Sequence, residues 1–248
     1  MRYILNHIAA LAIAGFLLPG SAAADYASAL NAYVKGNYAS ALREFKKDKT
    51  VRSLYRIGTM YDYGLGVTED KREAMKWYQQ AAAKGLDIAQ HRLGELYENG
   101  SGVSQDLKKA AELYRSAAEK GLAIAQYKLG DMYLMGRGVP QQTDEAVKWI
   151  LKAAEMGNMK AQNDIARMFE TGRGIPQDYG EAAKWYLRSA EQGQVSARYA
   201  IGYYYVKGLG IDQNRTEGVK WLKRAAEKGH GRAKMDLQDM GEIPVQER

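Results

Sequence analysis

Leu93-Gly94-Glu95-Leu96-Tyr97, followed by Gly100-Ser101-Gly102-Val103 and then by Ala110 to Gly121, is one copy of a pattern that this 248-residue chain repeats every 36 residues. Gly58, Gly94, Gly130, Ala166 and Gly202 form one column, and Tyr61, Tyr97, Tyr133, Phe169 and Tyr205 another. Gly-x-Gly pairs begin at Gly64, Gly100, Gly136, Gly172 and Gly208, each followed by Val67, Val103, Val139, Ile175 or Ile211. Trp77, Trp149, Trp185 and Trp221 keep the same register, with Leu113 in the remaining slot. A residue as rare as tryptophan does not recur at a fixed interval by chance, and a period of this length marks a tandem array.

Within one copy, Ala89, Leu93 and Tyr97 fall at i, i+4 and i+8 with Leu96 beside them, which predicts one apolar face of a short helix. Gly94 lies inside that helix, where glycine costs about 1 kcal/mol relative to alanine. The expected compensation is close approach of a second helix. Gly100 is placed to end the first helix in a left-handed cap. The second helix is expected from Asp106, whose counterparts Asp70, Asp178 and Asn214 are good N-caps with Glu73, Glu181 and Glu217 three residues on, as in a capping box. Ala110, Leu113, Tyr114, Ala117 and Ala118 make its apolar stripe, and Gly121 stops it. The tryptophans then read as core rather than as a ligand box. On the outer face Glu73/Lys76, Glu145/Lys148, Glu181/Lys184 and Glu217/Lys220 pair at i, i+3, whereas Lys109/Glu112 reverses the order. A pair that survives the swap of its signs is a solvated helix-stabilising pair and not a basic binding patch.

The first residues follow another logic. Arg2 gives a positive start, Ile8 to Leu18 an apolar run, and Pro19 to Ala24 a small-residue exit. This is the layout of a cleavable secretory signal over residues 1–24, with the cut expected after Ala24. The run is shorter than the roughly 20 residues of a membrane span, and no later stretch qualifies. The mature chain is therefore expected to be soluble, periplasmic or secreted, and without a transmembrane segment. The chain has no cysteine, which rules out disulfides, zinc thiolate sites and a lipidated cysteine. Its formal charge of +7 comes with no nucleic-acid-binding module, so it reads as solubility and attraction to acidic envelope polymers or an acidic partner.

The Leu-Gly-x-x-Tyr core, Gly-x-Gly-Val turn and Ala-Ala-x-x-Gly close resemble the Sel1-like repeat, the 36-residue relative of the tetratricopeptide repeat, in five copies from Ser53 to Arg232. Departures are Ala166 for glycine, Leu113 for tryptophan and Gly218 for alanine. The resemblance implies an all-α, right-handed α-solenoid of helix-turn-helix units at 53–88, 89–124, 125–160, 161–196 and 197–232. A tetratricopeptide-like capping hairpin is expected at 25–52, and a capping helix and tail at 233–248.

In the related repeats the first helices line the concave face. Carried over, three columns flank the core positions: Tyr55, His91, Tyr127, Asn163 and Tyr199; Thr59, Glu95, Asp131, Arg167 and Tyr203; and Asp62, Glu98, Leu134, Glu170 and Val206. They vary between copies while the core columns do not, as a groove for a heterogeneous partner requires. Solvated surface varies too, and some of these tyrosines can simply cover neighbouring helices. The expected groove is acidic early, through Asp62, Glu95, Glu98 and Asp131, and apolar late, through Tyr199, Tyr203 and Val206. A peptide or helix of another protein is the expected occupant, with the tyrosines as anchors. No catalytic, cofactor or metal site is expected: His91 lacks the second histidine of a His-Glu-x-x-His site, and no serine opens a Ser-x-x-Lys motif. Family members serve in envelope assembly, regulation of sensor kinases, host-cell interaction and, in cysteine-rich members, β-lactam binding or hydrolysis. An envelope adaptor or regulator is the first expectation, a host-directed factor the second, and a β-lactam-directed enzyme the most remote.

Overall fold

The computed structural model describes residues 21–244, which form thirteen helices. They are α1 (Ser21–Val34), α2 (Tyr38–Asp48), α3 (Val51–Tyr63), α4 (Lys71–Ala83), α5 (Asp87–Asn99), α6 (Leu107–Glu119) and α7 (Ala123–Met135). They continue as α8 (Thr143–Glu155), α9 (Met159–Thr171), α10 (Tyr179–Glu191), α11 (Val195–Lys207), α12 (Arg215–Glu227) and α13 (Gly231–Asp239). The expected secretory signal lies outside the described residues up to residue 20, and Ser21–Ala24 form the first turn of α1. Among the described residues no strand occurs and no helix is long and apolar enough to cross a membrane.

The described chain divides after Ala89 into two compact units. In the first, Ala29, Tyr33, Phe45, Ile57 and Met60 form the main cluster, and Leu54, Ala81 and Ala89 a second. In the other, each helix from α6 onward packs on the next, and one continuous core runs from Ala110 to Trp221. The end of the array is closed by α13, whose Ala233 and Leu237 pack with Val206, Val219, Leu222 and Ala225. Both units are thus stacks of helix hairpins, the helical-repeat solenoid architecture, in which each element buries its apolar stripe against its neighbours.

The turn between the two helices of a repeat is identical in all five copies. The first Gly of each Gly-x-Gly pair has positive φ, from 65° at Gly64 to 71° at Gly172. The N-cap N–H of the second helix then donates to the carbonyl of the aromatic column: Asp70 to Tyr61, Asp106 to Tyr97, Gln142 to Tyr133, Asp178 to Phe169 and Asn214 to Tyr205. That bond corrects the capping-box expectation. Asp70, Asp106, Asp178 and Asn214 do accept from the first-turn N–H groups. Their own N–H groups are already used, so Glu73, Glu181 and Glu217 turn outward to Lys76, Lys184 and Lys220. The reversed pair Lys109–Glu112 forms as well, at 3.4 Å.

Close approach accounts for the helical glycines. A Cβ on Gly94 would lie 2.7 Å from the Tyr114 ring, and one on Gly130 would meet Ile150 Cγ1 at 2.7 Å. Successive repeats meet as tightly at the second turn glycine, since a Cβ on Gly138 would stand 2.1 Å from the Leu107 carbonyl oxygen. The tryptophan expectation needs refining. Trp185 and Trp221 are buried, but Trp77 and Trp149 are only half-buried. Cations cover three of the rings, Lys152 on Trp149, Arg188 on Trp185 and Arg224 on Trp221, at 4.5–4.6 Å.

Candidate functional site

Of the three first-helix columns, one faces inward throughout. Asp62, Glu98, Leu134 and Val206 are buried and Glu170 is half-buried. Three of these five positions accept a hydroxyl from the second helix of their own repeat: Tyr78 donates to Asp62 at 3.0 Å, Tyr114 to Glu98 at 2.6 Å and Tyr186 to Glu170 at 2.8 Å. Tyr204 adds a second donor to Glu170 at 3.0 Å. The two apolar members stand in register with apolar partners, Leu134 with Ile150 and Val206 with Leu222. Acid and tyrosine are thus exchanged together for two hydrocarbons, as expected where leaving either polar partner buried alone costs about 1–3 kcal/mol. The column joins the helices of each hairpin, and its acids Asp62, Glu98 and Glu170 are held by tyrosines of the same repeat instead of facing a ligand, which corrects their placement in the groove. The signal was in the sequence, in the coupled change at positions 36 residues apart in two columns at once.

The same burial takes Asp62 and Glu98 out of the expected acidic groove and leaves Glu95 and Asp131 half-buried. Glu98, 5% exposed, is held by Lys128 and Arg137, each at 2.9 Å. Burial alone would raise its carboxyl, but the Tyr114 hydroxyl and these two cations together outweigh it and leave the group below the usual carboxylate range. Burial first, and the Glu98 carboxylate second, push the Tyr114 phenol up. In the first unit Asp62 is paired with Lys71 at 2.9 Å.

The column that begins at Tyr55 is divided. His91 is 2% exposed, lies against the Tyr114 ring, and has no hydrogen-bond partner at either ring nitrogen. Its Nδ1 stands 3.7 Å from Glu95, yet burial outweighs that carboxylate and brings its pKa down to about 4. It is a neutral core imidazole and not a groove contact, a second correction. Tyr55 packs on Tyr78 with ring centroids 5.5 Å apart, and Tyr127 donates to Asp164 at 3.0 Å. Asn163 bonds Asp164 and Ser196. Tyr199 stacks on His230 at 4.4 Å, and burial with the Asp236 carboxylate raises its phenol to about 12. These tyrosines cover neighbouring helices and keep only part of their surface open.

The remaining column is the accessible one. Thr59 is the exception: it is buried, and its hydroxyl donates to the Tyr55 carbonyl. In the second unit Glu95 and Asp131 are half-buried, Arg167 is exposed and Tyr203 is 37% exposed. Glu95 is bonded by Arg92, and Asp131 stands 3.8 Å from Arg137. Between α7 and α9 the face opens into a cavity of about 300 Å³ lined by Leu134, Asp164, Arg167, Met168, Thr171 and Arg173. Arg173 was not among the expected site residues because it sits in the turn after α9. Among the described residues no group of three His, Cys, Asp or Glu side chains is placed to hold a metal ion.

The sequence profile of the Sel1 repeat matches five consecutive segments, 51–86, 87–122, 123–158, 160–194 and 195–230. The first segment starts two residues before the expected 53–88 frame, at the first residue of α3. Among solved structures, a Sel1 repeat protein from Oxalobacter formigenes is 33% identical, with a TM-score of 0.81 over 89% of this chain and 94% of that one. The protein c5321, described as a protective antigen of uropathogenic Escherichia coli with an SLR fold, is 29% identical with a TM-score of 0.84. That match takes in 99% of this chain but only 53% of the other, so the chain spans about half of c5321. A Sel1 repeat protein from Klebsiella pneumoniae, 19% identical with a TM-score of 0.50 over 82% of this chain and 99% of that one, shares the fold. No curated protein sequence matches the chain.

Proposed function

We propose that this chain, which belongs to the Sel1 repeat family, is a non-enzymatic scaffold of the bacterial cell envelope that binds another protein along the open face of its first helices. Repeats of this family generally mediate protein–protein interaction, and their fold is typically a non-catalytic scaffold. The observation that carries the finer reading is the division of the first-helix columns in the second unit. The columns that repeat are core, the coupled acid–tyrosine column is internal, and the accessible one holds Glu95, Asp131, Arg167 and Tyr203, which are two acids, a base and an aromatic in four copies. Beside it Tyr127 and Tyr199 pack on neighbouring helices and keep part of their surface open, which offers stiff contact area with a polar tip.

The envelope location rests on the charged, apolar and small-residue order of residues 1–24. Mass spectrometry of the protein from a periplasmic fraction is expected to find Asp25 as its first residue. The likeness to a protein described as a protective antigen favours a second reading, a secreted factor in contact with a host.

Tyr203 is the informative position for a test. Tyr199→Ala would strip the stack on His230 and confound binding with stability, whereas Tyr203→Ala removes a side chain 37% exposed. Tyr203→Ala is expected to reduce capture of envelope proteins by the immobilised chain while moving its melting temperature little. Equal capture by both proteins would remove the first-helix face as the binding surface.

A further inference from the structure

Two adjacent repeats carry the same arginine in opposite surroundings. Arg137 closes on two carboxylates, Glu98 at 2.9 Å and Asp131 at 3.8 Å. One period later the arginine is kept as Arg173, but the place of Glu98 holds Leu134 and the place of Asp131 holds Arg167. Lys128, the second base on Glu98, becomes Asp164. The charge pattern is therefore inverted around a conserved guanidinium. Among the described residues Arg173 forms no ion pair or side-chain hydrogen bond, while Asp164 already accepts from Tyr127 at 3.0 Å, Asn163 at 3.3 Å and Arg167 at 3.4 Å. Arg167 and Arg173 both line the cavity between α7 and α9, over the buried side chains of Leu134 and Met168.

Two cations facing one carboxylate that is already bonded leave an anion position open. The charge deficit is single, since Asp164 disfavours a doubly charged group such as phosphate. The floor is hydrocarbon, so the anion must bring an apolar stem. A cavity of about 300 Å³ is at the lower limit for a small-molecule pocket and suits one side chain of a larger ligand. We propose that this cavity receives a glutamate side chain of the protein partner, its methylenes on Leu134 and Met168 and its carboxylate shared by Arg167 and Arg173. The geometry would be the charge-assisted, forked pairing that guanidinium groups make with carboxylates. The proposal rests on the reading of the first-helix face as a protein-binding surface and adds the chemistry of one residue of the partner.

The probe is a fluorescein-labelled peptide, Gly-Ser-Leu-Glu-Leu-Ser-Gly with an amidated C-terminus, titrated by fluorescence polarisation against the full chain. Its Gln analogue, and that analogue with a free C-terminal carboxylate, serve as comparisons. Arg173→Gln changes an exposed side chain, and replacing Glu by Gln in the peptide or Arg173 by Gln in the protein is each expected to weaken binding about tenfold. The pair Leu134→Glu with Ile150→Tyr rebuilds the acid–tyrosine arrangement of the preceding repeat, gives Arg173 a carboxylate within the chain, and is expected to displace the peptide. Unchanged affinity in Arg173→Gln, or no binding up to about 1 mM, a weak-complex affinity, would overturn the proposal. Equal binding of the Gln peptide with a free C-terminus would overturn the assignment to glutamate. Loss of binding in Tyr203→Ala but not in Arg173→Gln sinks the arginine site and leaves the wider face standing. The reverse result supports the site and counts against Tyr203.

Discussion

At the residue scale the most consequential contact is the bond between a first-helix carboxylate and a second-helix tyrosine. Glu98 and Tyr114 are both buried, so neither retains water if the other is removed. Glu98→Leu is expected to destabilise the chain by about 1–3 kcal/mol, the cost of an unsatisfied buried hydroxyl. Lys128 and Arg137 lose a partner too, but their side chains stay 32% and 39% exposed and can hydrate. Adding Tyr114→Ile copies the Leu134/Ile150 arrangement of the next repeat, and the double substitution is expected to cost less than the sum of the two singles. A double-mutant cycle from urea midpoints checks this, and additivity within about 0.3–0.5 kcal/mol would show that the pair is not coupled. The same contact explains why Asp62, Glu98 and Glu170 look like ligand residues when read in one dimension. Their variation between copies is variation in a buried partner.

At the element scale, the turn does more of the ordering than the helices, each of which is only about 13 residues long in the repeats and marginal in isolation. Every first helix in the second unit ends against a glutamine that donates to its last-turn carbonyl: Gln105 to Glu98, Gln141 to Leu134, Gln177 to Glu170 and Gln213 to Val206, all at 2.8 Å. Every second helix begins at an N-cap whose N–H is tied to the preceding aromatic residue. One position breaks the set. Gln142 occupies the cap of α8 and makes no side-chain cap bond, whereas its four counterparts do. Gln142→Asp is expected to stabilise the chain by about 0.5–1 kcal/mol, read as a higher urea midpoint at unchanged slope. No gain would mean that the Gln142 backbone cannot bring a shorter acceptor to the first-turn N–H groups.

For the whole molecule, stability is a row of neighbour contacts, so damage should stay near its origin. Leu237 is fully buried in the cluster that closes the second unit, and Leu237→Ala is expected to cost about 2–5 kcal/mol locally. Hydrogen exchange should then quicken in α12 and α13 while α7 to α9 keep their protection; uniform loss of protection would show a single cooperative unit instead. The period, the all-helical hairpin and the core columns were legible in the sequence because packing recurs with the repeat, and each copy reports the same constraint. The site was legible only as a set of positions that fail to repeat. Non-repetition marks an open surface and a coupled buried pair alike, and only tertiary contact separates them. It turned Asp62, Glu98 and His91 inward, left Arg167 and Tyr203 outside, and set Arg173 beside Leu134 without the carboxylate that Arg137 has. Burial and charge pairing are properties of side chains brought together across helices, which spacing along the chain does not record.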